Sequence, residues 1–262
     1  MTTEEKVQGG VQSLEVGLSV LDVFIQYQQP LMLKQLAESL NMHPAKVHRY
    51  VVSLVRMGYA KQHEDGRYSL GEQAWKLGLN CIQRTDAIQL AQPLILQVQQ
   101  QLNCGFQLSK WTAQGPLIVQ WLQANHAVTV ITRVGSLMPL LNSATGRLWA
   151  SYQPENVIRP MLEQEWALNH TQGLKVYPAN WTEFLDLKQS VLTQGYASVS
   201  GDMMIGINAV CVPVFNRHQE IEFSIACLGT SQELPLHDED HSRVTILKDA
   251  AAAMTQLIAQ PN

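Results

Sequence analysis

No apolar run in the 262 residues approaches the ~18 residues needed to cross a bilayer, so the sequence excludes an α-helical membrane protein and reads as a soluble globular chain. The opening MTTEEKVQGG has neither the basic nor the apolar region of a secretory signal, which leads us to expect a cytoplasmic protein. Cysteine is scarce. Cys81, Cys104, Cys211 and Cys227 show no CxxC or Cys/His ligand spacing, and a chain of this length needs no staples, so they read as reduced thiols. The glycines form neither a phosphate-binding loop nor a dinucleotide fingerprint. A net charge of −4 rules out a chain that is basic throughout.

What is present is local. From Met42 to Arg67 the basic residues Lys46, Arg49, Arg56, Lys61 and Arg67 face only Glu64 and Asp65, whereas beyond residue 80 acidic residues outnumber basic ones. Counterion release needs cations only at the contact face, so a basic strip on an acidic chain fits a phosphate footprint. From Val11 to Gln28 the positions Val11, Leu14, Leu18, Leu21, Val23, Phe24 and Ile25 recur at three- and four-residue spacings, the stripe of an amphipathic helix closed by Pro30. Leu33, Leu36, Ala37 and Leu40 predict a short helix ending near Asn41. His43-Pro44 opens another, with Pro44 in the first turn and Val47, Tyr50, Val51, Leu54 and Val55 as the buried stripe. Lys46, His48 and Arg49 fall on the opposite face, where they can meet phosphates and base edges.

Tyr59–His63 and Arg67–Leu70 flank Glu64-Asp65-Gly66, an Asp-Gly hairpin signal. Helix, turn, helix and hairpin make a winged helix-turn-helix, with Lys61 and Arg67 on the wing. Two packed helices and a hairpin with ordinary solvated charges remain the alternative.

These residues resemble the IclR-type bacterial transcriptional regulators. VQSLEVGLSVLDVF is similar to the family's first helix, and LKQLAESLNMHPAKVHRYVVSLVRMGYAKQHEDGRYSLG to its DNA-binding core and wing; the resemblance spans about residues 11–260. Its most specific pieces are Val47-His48-Arg49-Tyr50 and Gly66-Arg67-Tyr68 with Leu70-Gly71. Ala45-Lys46 stands where the family often has Ser-Thr. Residues and resemblance together nominate Lys34, His43, Ala45, Lys46, His48, Arg49, Lys61 and Arg67 for DNA contact. The implied partners are a double-stranded operator, a second copy of the chain as homodimer or dimer of dimers, a small-molecule effector, and RNA polymerase if the protein activates.

Residues 72–84 read as a linker helix after a 1–10 flexible N-terminus and an 11–71 DNA-binding domain, and Pro93 is expected to start or kink the next helix. Within 85–262, GFQLSKWT, PLIVQWLQ and AVTVITRV read as antiparallel strands, TGRLWASYQP and WTEFLDLKQSVLTQG as helices. ASVS, NAVCVPVF and IEFSIACLG return to strands before a C-terminal amphipathic helix. The pattern is α+β with an antiparallel sheet, and the resemblance makes it a GAF-like effector and oligomerisation domain.

No enzyme chemistry is apparent, and we expect no catalytic residue, metal or cofactor. Cys211 lies inside an apolar strand, so pairing it with His218 as nucleophile and base is disfavoured. His237, Asp238, Glu239, Asp240 and His241 look like a metal cluster by composition but open the last helix, where acidic residues complement its dipole. The resemblance places the effector cavity against Val130, Met138, Ala144, Thr145, Val199, Ala209, Ala226 and Leu228. Relatives that bind small oxo-acids carry polar groups where Val199, Ala209, Ala226 and Leu228 stand here. The cavity is therefore expected to prefer an apolar or aromatic ligand or to have closed. A different class stays open: a small-molecule-binding or catalytic domain whose helix-turn-helix is a protein-interaction module.

Overall fold

The computed structural model describes residues 10–27, 29–83, 86–123, 133–236 and 242–259. The chain divides into two compact units, 1–85 and 86–262. The first holds helices α1 (Gln12–Gln26), α2 (Leu33–Ser39) and α3 (Pro44–Arg56), strands β1 (Ala60–Gln62) and β2 (Tyr68–Leu70), and helix α4 (Glu72–Gln83). Its core gathers Val20, Val23 and Phe24 of α1, Leu36 and Ala37 of α2, Val47 and Val51 of α3, and Ala60 and Tyr68 of the hairpin. Asn41 takes the left-handed conformation between α2 and α3, and Pro44 is the first residue of α3, where its missing N–H leaves no helical bond unmade. Leu31 bridges to Tyr68, which ties the segment before α2 to the wing.

Two apolar stripes sit differently from their sequence expectation. Val11, Leu14, Leu18 and Ile25 of the α1 stripe are exposed, and Val20 is buried instead. Val55 is exposed at the end of α3, leaving Val47 and Val51 as its fully buried residues.

The second unit contains α5 (Asp86–Leu102), β3 (Gly105–Thr112), β4 (Gly115–Leu122), α6 (Ala144–Tyr152), α7 (Glu155–Thr171), α8 (Trp181–Gln194), β5 (Ala197–Ser200), β6 (Ile207–Phe215), β7 (Ile221–Thr230) and α9 (Ser242–Ala259). The strands form one antiparallel sheet in the order β4-β3-β7-β6-β5. Pro93 lies inside α5, which runs through it rather than restarting, and α7 is a helix the sequence pattern did not announce, having Pro154 as its N-cap and Pro160 inside. The stretch AVTVITRV falls almost wholly outside the described residues, as do residues 1–9 and the 237–241 cluster.

Strand alternation gives the sheet two unlike faces. Phe106, Leu108, Val210, Val212, Val214, Phe223, Ile225 and Cys227 pack in one cluster with Ala91, Ile95 and Val98 of α5 and Leu247, Ala251 and Met254 of α9. The opposite face carries smaller or polar residues, Gln107, Ser109, Ala209, Cys211, Ser224, Ala226 and Leu228, and several of these join Ala144 and Leu148 of α6 and Val191 of α8 in a second cluster. Ser109 and Ser224 share a 2.7 Å hydrogen bond and both accept from the Trp149 indole N–H, at 2.8 and 3.0 Å.

Candidate DNA interface and sensor cavity

Helix α3 turns its two faces to different tasks. Val47 and Val51 are buried, while Ala45, Lys46, His48 and Arg49 are exposed, and among the described residues no salt bridge engages Lys46 or Arg49. His43 has a structural task the sequence did not reveal: its Nδ1 accepts from the Ala45 N–H at 3.3 Å and caps α3. That bond holds the ring against the helix start. Lys34 is exposed on α2, apart from α3, and lies 3.9 Å from Glu38 one turn on.

The wing is short and closed by its own side chains. Ala60, Lys61 and Gln62 pair with Leu70, Ser69 and Tyr68. The His63 N–H donates to the Arg67 carbonyl at 2.8 Å, and the His63 ring meets the Ser69 hydroxyl at 2.9 Å. Lys61 is exposed without a salt bridge among the described residues, whereas Arg67 is paired with Asp65 at 3.4 Å and donates its backbone N–H to the same carboxylate at 3.0 Å. Asp65 thus offsets part of the charge that Arg67 carries toward a phosphate.

In the second unit the small-residue face of the sheet leaves a cavity of about 100 Å³. Seven of the sequence-nominated residues line it together: Met138, Ala144, Thr145, Val199, Ala209, Ala226 and Leu228. Val130 lies outside the described residues. The wall is hollow because short side chains fall in register. Leu228 of β7 pairs with Gly105 on one side and with Ala209 of β6 on the other, and Ala209 pairs with Val199. Alignment of the strands alone would have exposed this run of small residues.

Five further residues line the cavity: Gln107, Ser143, Met203, Met204 and Ile207, the last four within the stretches 138–147 and 195–229 that the resemblance assigns to it. Gln107 was signalled by being a polar residue on the β3 face that carries Gly105, opposite Ala226. The Ser143 hydroxyl caps α6, accepting from the Gly146 N–H at 2.8 Å and donating to the Pro139 carbonyl at 2.6 Å. Met203 and Met204 belong to a loop bounded by Gly201 and Gly206, whose φ values of 76° and 81° suit residues without a Cβ. Its tip, Ile205, is 96% exposed.

Arg147 ties this loop to the domain. Its buried guanidinium donates to the carbonyls of Leu141, Ser198 and Tyr177 at 2.7, 3.0 and 2.6 Å and lies 3.6 Å from the Asp202 carboxylate. Burial lowers the Arg147 pKa from its ordinary value, and Asp202 opposes that shift. Burial also pushes the Cys211 thiol up to about 12, against lesser opposing hydrogen bonds with Ser224 and Thr145, which leaves no nucleophile there at neutral pH. Among the described residues no group of His, Cys, Asp and Glu is arranged to hold a metal.

The family model described as Bacterial transcriptional regulator IclR C-terminal matches residues 79–256, and that described as IclR helix-turn-helix domain matches residues 13–64. The chain is 24% identical to the HTH-type transcriptional regulator KipR of Bacillus subtilis (strain 168) over 92% of this chain and 94% of that one. A solved IclR transcriptional regulator from Alicyclobacillus acidocaldarius is similar at 26% identity and a TM-score of 0.76, covering 96% of this chain and 100% of that one. An IclR homolog from Microbacterium hydrocarbonoxydans, solved as a complex with 4-hydroxybenzoate, has the same fold at 20% identity and a TM-score of 0.74, covering 94% and 98% of the two chains.

Proposed function

The chain belongs to the IclR family of bacterial transcriptional regulators, and on that basis we propose how its two units divide the work: operator binding by a dimer through α3 and the wing, and sensing of a small apolar or aromatic effector in the sheet cavity. It is a DNA-binding regulator and not an enzyme. The observation that carries the operator reading is the exposed row Lys46, His48 and Arg49 on the face of α3 opposite buried Val47 and Val51. With its N-terminus in the major groove, such a helix puts Arg49 toward base edges and Lys46 toward phosphates; Lys34, His43, Ala45, Lys61 and Arg67 flank it.

Dimerisation has its own support. Val11, Leu14, Leu18, Leu21 and Ile25 follow one another at spacings of three, four, three and four, and Leu14 and Ile25 are 60% and 67% exposed. That is the spacing of a helix-pairing seam, uncovered in a single chain at Val11, Leu14, Leu18 and Ile25, while Leu21 packs partly against the domain core. Two paired heads would meet half-sites about 10 bp or a multiple apart. A dimer of dimers through the sensor domains, cytoplasmic action, and contact with RNA polymerase if the protein activates complete the reading. No described helix is long and apolar enough to cross a membrane.

For the effector, the support is the lining. Among the described residues no charged side chain lines the cavity, and its sheet wall is Val199, Ala209, Ala226 and Leu228. A neighbouring fold that accepts 4-hydroxybenzoate is consistent with a ring-sized ligand. DNase footprinting over the chain's own upstream region, with and without candidate aromatic acids, tests both halves. A protected palindrome whose occupancy responds to an aromatic acid is expected. Failure to retard any genomic fragment under either condition overturns the operator reading in favour of a protein-interaction role for the helix-turn-helix.

A further inference from the structure

We propose that Cys104 and Cys227 form a peroxide-reactive thiol pair, which a hydroperoxide joins into a reversible disulfide at the end of the sensor sheet. The register of the strands brings the two sulfurs together. Phe106 pairs with Cys227 and Gly105 with Leu228, so Cys104, one residue further back, falls beside Gly229 and diagonally across from Cys227 on the same face. The Cys104 sulfur uses room that Gly229 leaves, since a Cβ on that glycine would lie 3.4 Å from it. The two thiols share a hydrogen bond. Cys104 stands between α5 and β3, outside the paired residues of the strand, so closing the remaining gap leaves the ladder intact.

Cys104 also has a cation for a neighbour. Arg243, half-buried in the first turn of α9, reaches the edge of an apolar cluster, where its Nη1 donates to the Leu102 carbonyl at 3.0 Å and to the Cys104 sulfur at 3.8 Å. The hydrogen bond from Cys227 and the Arg243 charge hold the Cys104 thiol below its ordinary pKa, against burial and the half-buried Glu233 carboxylate. Cys227 moves the opposite way, because its S–H donates to Cys104 and is itself buried. Cys211, on the sheet's other face, is instead pushed up to about 12 by burial. The asymmetry assigns the roles. The Cys104 thiolate attacks one oxygen of hydrogen peroxide, the O–O bond breaks, and the departing hydroxide takes up the proton that Cys104 released. Cys104 is then a sulfenic acid. The Cys227 sulfur attacks it, the S–O bond breaks, and water leaves with the Cys227 proton. Two thiols and one peroxide thus become a disulfide and two waters. Cys104 and Cys227 are 2% and 1% exposed, which suits a water-sized oxidant over a bulky disulfide.

The test treats the full-length protein with hydrogen peroxide in native buffer, blocks remaining thiols with iodoacetamide and maps tryptic peptides by mass spectrometry. Each of the four cysteines falls in its own tryptic peptide, Cys104 in 85–110 and Cys227 in 218–243. Those two peptides are expected as one linked species that dithiothreitol separates, with Cys211 unoxidised. Cys227→Ser is expected to stop at the Cys104 sulfenic acid, trapped by dimedone, because the second thiol is gone. Arg243→Gln, which keeps a donor for the Leu102 carbonyl, is expected to slow formation of the link about fivefold by removing the charge. An unchanged rate overturns the part assigned to Arg243. Wild-type protein that forms no link between the two peptides, or forms it only in urea, overturns the proposal, and that reading needs no variant to fold.

Discussion

The two units carry their functional residues in opposite ways. In the first, the candidate DNA contacts are cations standing outside a helix whose buried side is Val47 and Val51, so function lies in what has been added to a surface. In the second, the cavity exists because Ala209, Ala226 and Ala144 fail to fill the space that the sheet's other face packs with Phe106, Phe223 and Ile225. There the proposed sensing rests on missing volume. The same residue type consequently means different things in the two places: Arg49 is an exposed cation, and Arg147 is a buried clasp with four partners.

The sharpest way to break this comparison is to remove each arginine. Arg147→Ala is expected to destabilise the chain by about 3 kcal/mol, at the low end for breaking a buried pair because Asp202 is partly exposed. Urea unfolding followed by tryptophan fluorescence measures it, and a loss below about 1 kcal/mol shows that the buried cation is dispensable. Arg49→Ala is expected to leave the melting temperature unchanged while lowering operator affinity roughly tenfold to a hundredfold, read by fluorescence anisotropy. A drop in melting temperature instead would make Arg49 a structural residue and erase the contrast.

Smaller effects sharpen it. Lys46→Ala is expected to reduce the salt slope of DNA binding by about one unit, and Arg67→Ala by visibly less, since Asp65 already sits 3.4 Å from its guanidinium. Equal slopes would show that Asp65 lets go of Arg67 at no cost. Smallest of all, Cys211 is expected to resist iodoacetamide in the folded protein at pH 8 and to react fully in urea, its thiol being buried and raised to about 12. Labelling in native buffer, quantified by mass spectrometry, would mean that the small-residue face opens to solvent.

Sequence reading succeeded where one residue's place follows from its neighbours on the same helix. The alternation of Val47 and Val51 with Lys46, His48 and Arg49 dictates the two faces of α3, and Asp65-Gly66 dictates the wing. It stopped short where a residue's task depends on a partner not implied by periodicity. The capping of Ala45 by His43 is visible only with the backbone in place. The α1 stripe predicts a buried face, yet Val11, Leu14, Leu18 and Ile25 remain uncovered in one chain because periodicity cannot say what a face packs against. Pro93 reads as the start or kink of a helix but lies inside α5, and α7, which holds Pro160, carries no signal in the periodicity. The cavity residues were named through family resemblance, and the residues alone would not have assembled them. Gln107, Met203 and Met204 come from separate strands and loops, and an empty volume is a property of all its walls at once.

Were the cavity to hold an effector, the Gly201–Gly206 loop would set the pace of its exchange. Met203 and Met204 form one side of the cavity, and Asp202 is held by Arg147, so a ligand that uses this side as its doorway waits for an ion pair to part. Entry and departure would then share one gate, and loosening it would speed both rates while leaving their ratio nearly fixed. Asp202→Asn is the matching variant. Stopped-flow binding should show association and dissociation accelerating together, so that the regulator answers a falling effector concentration sooner at the same occupancy.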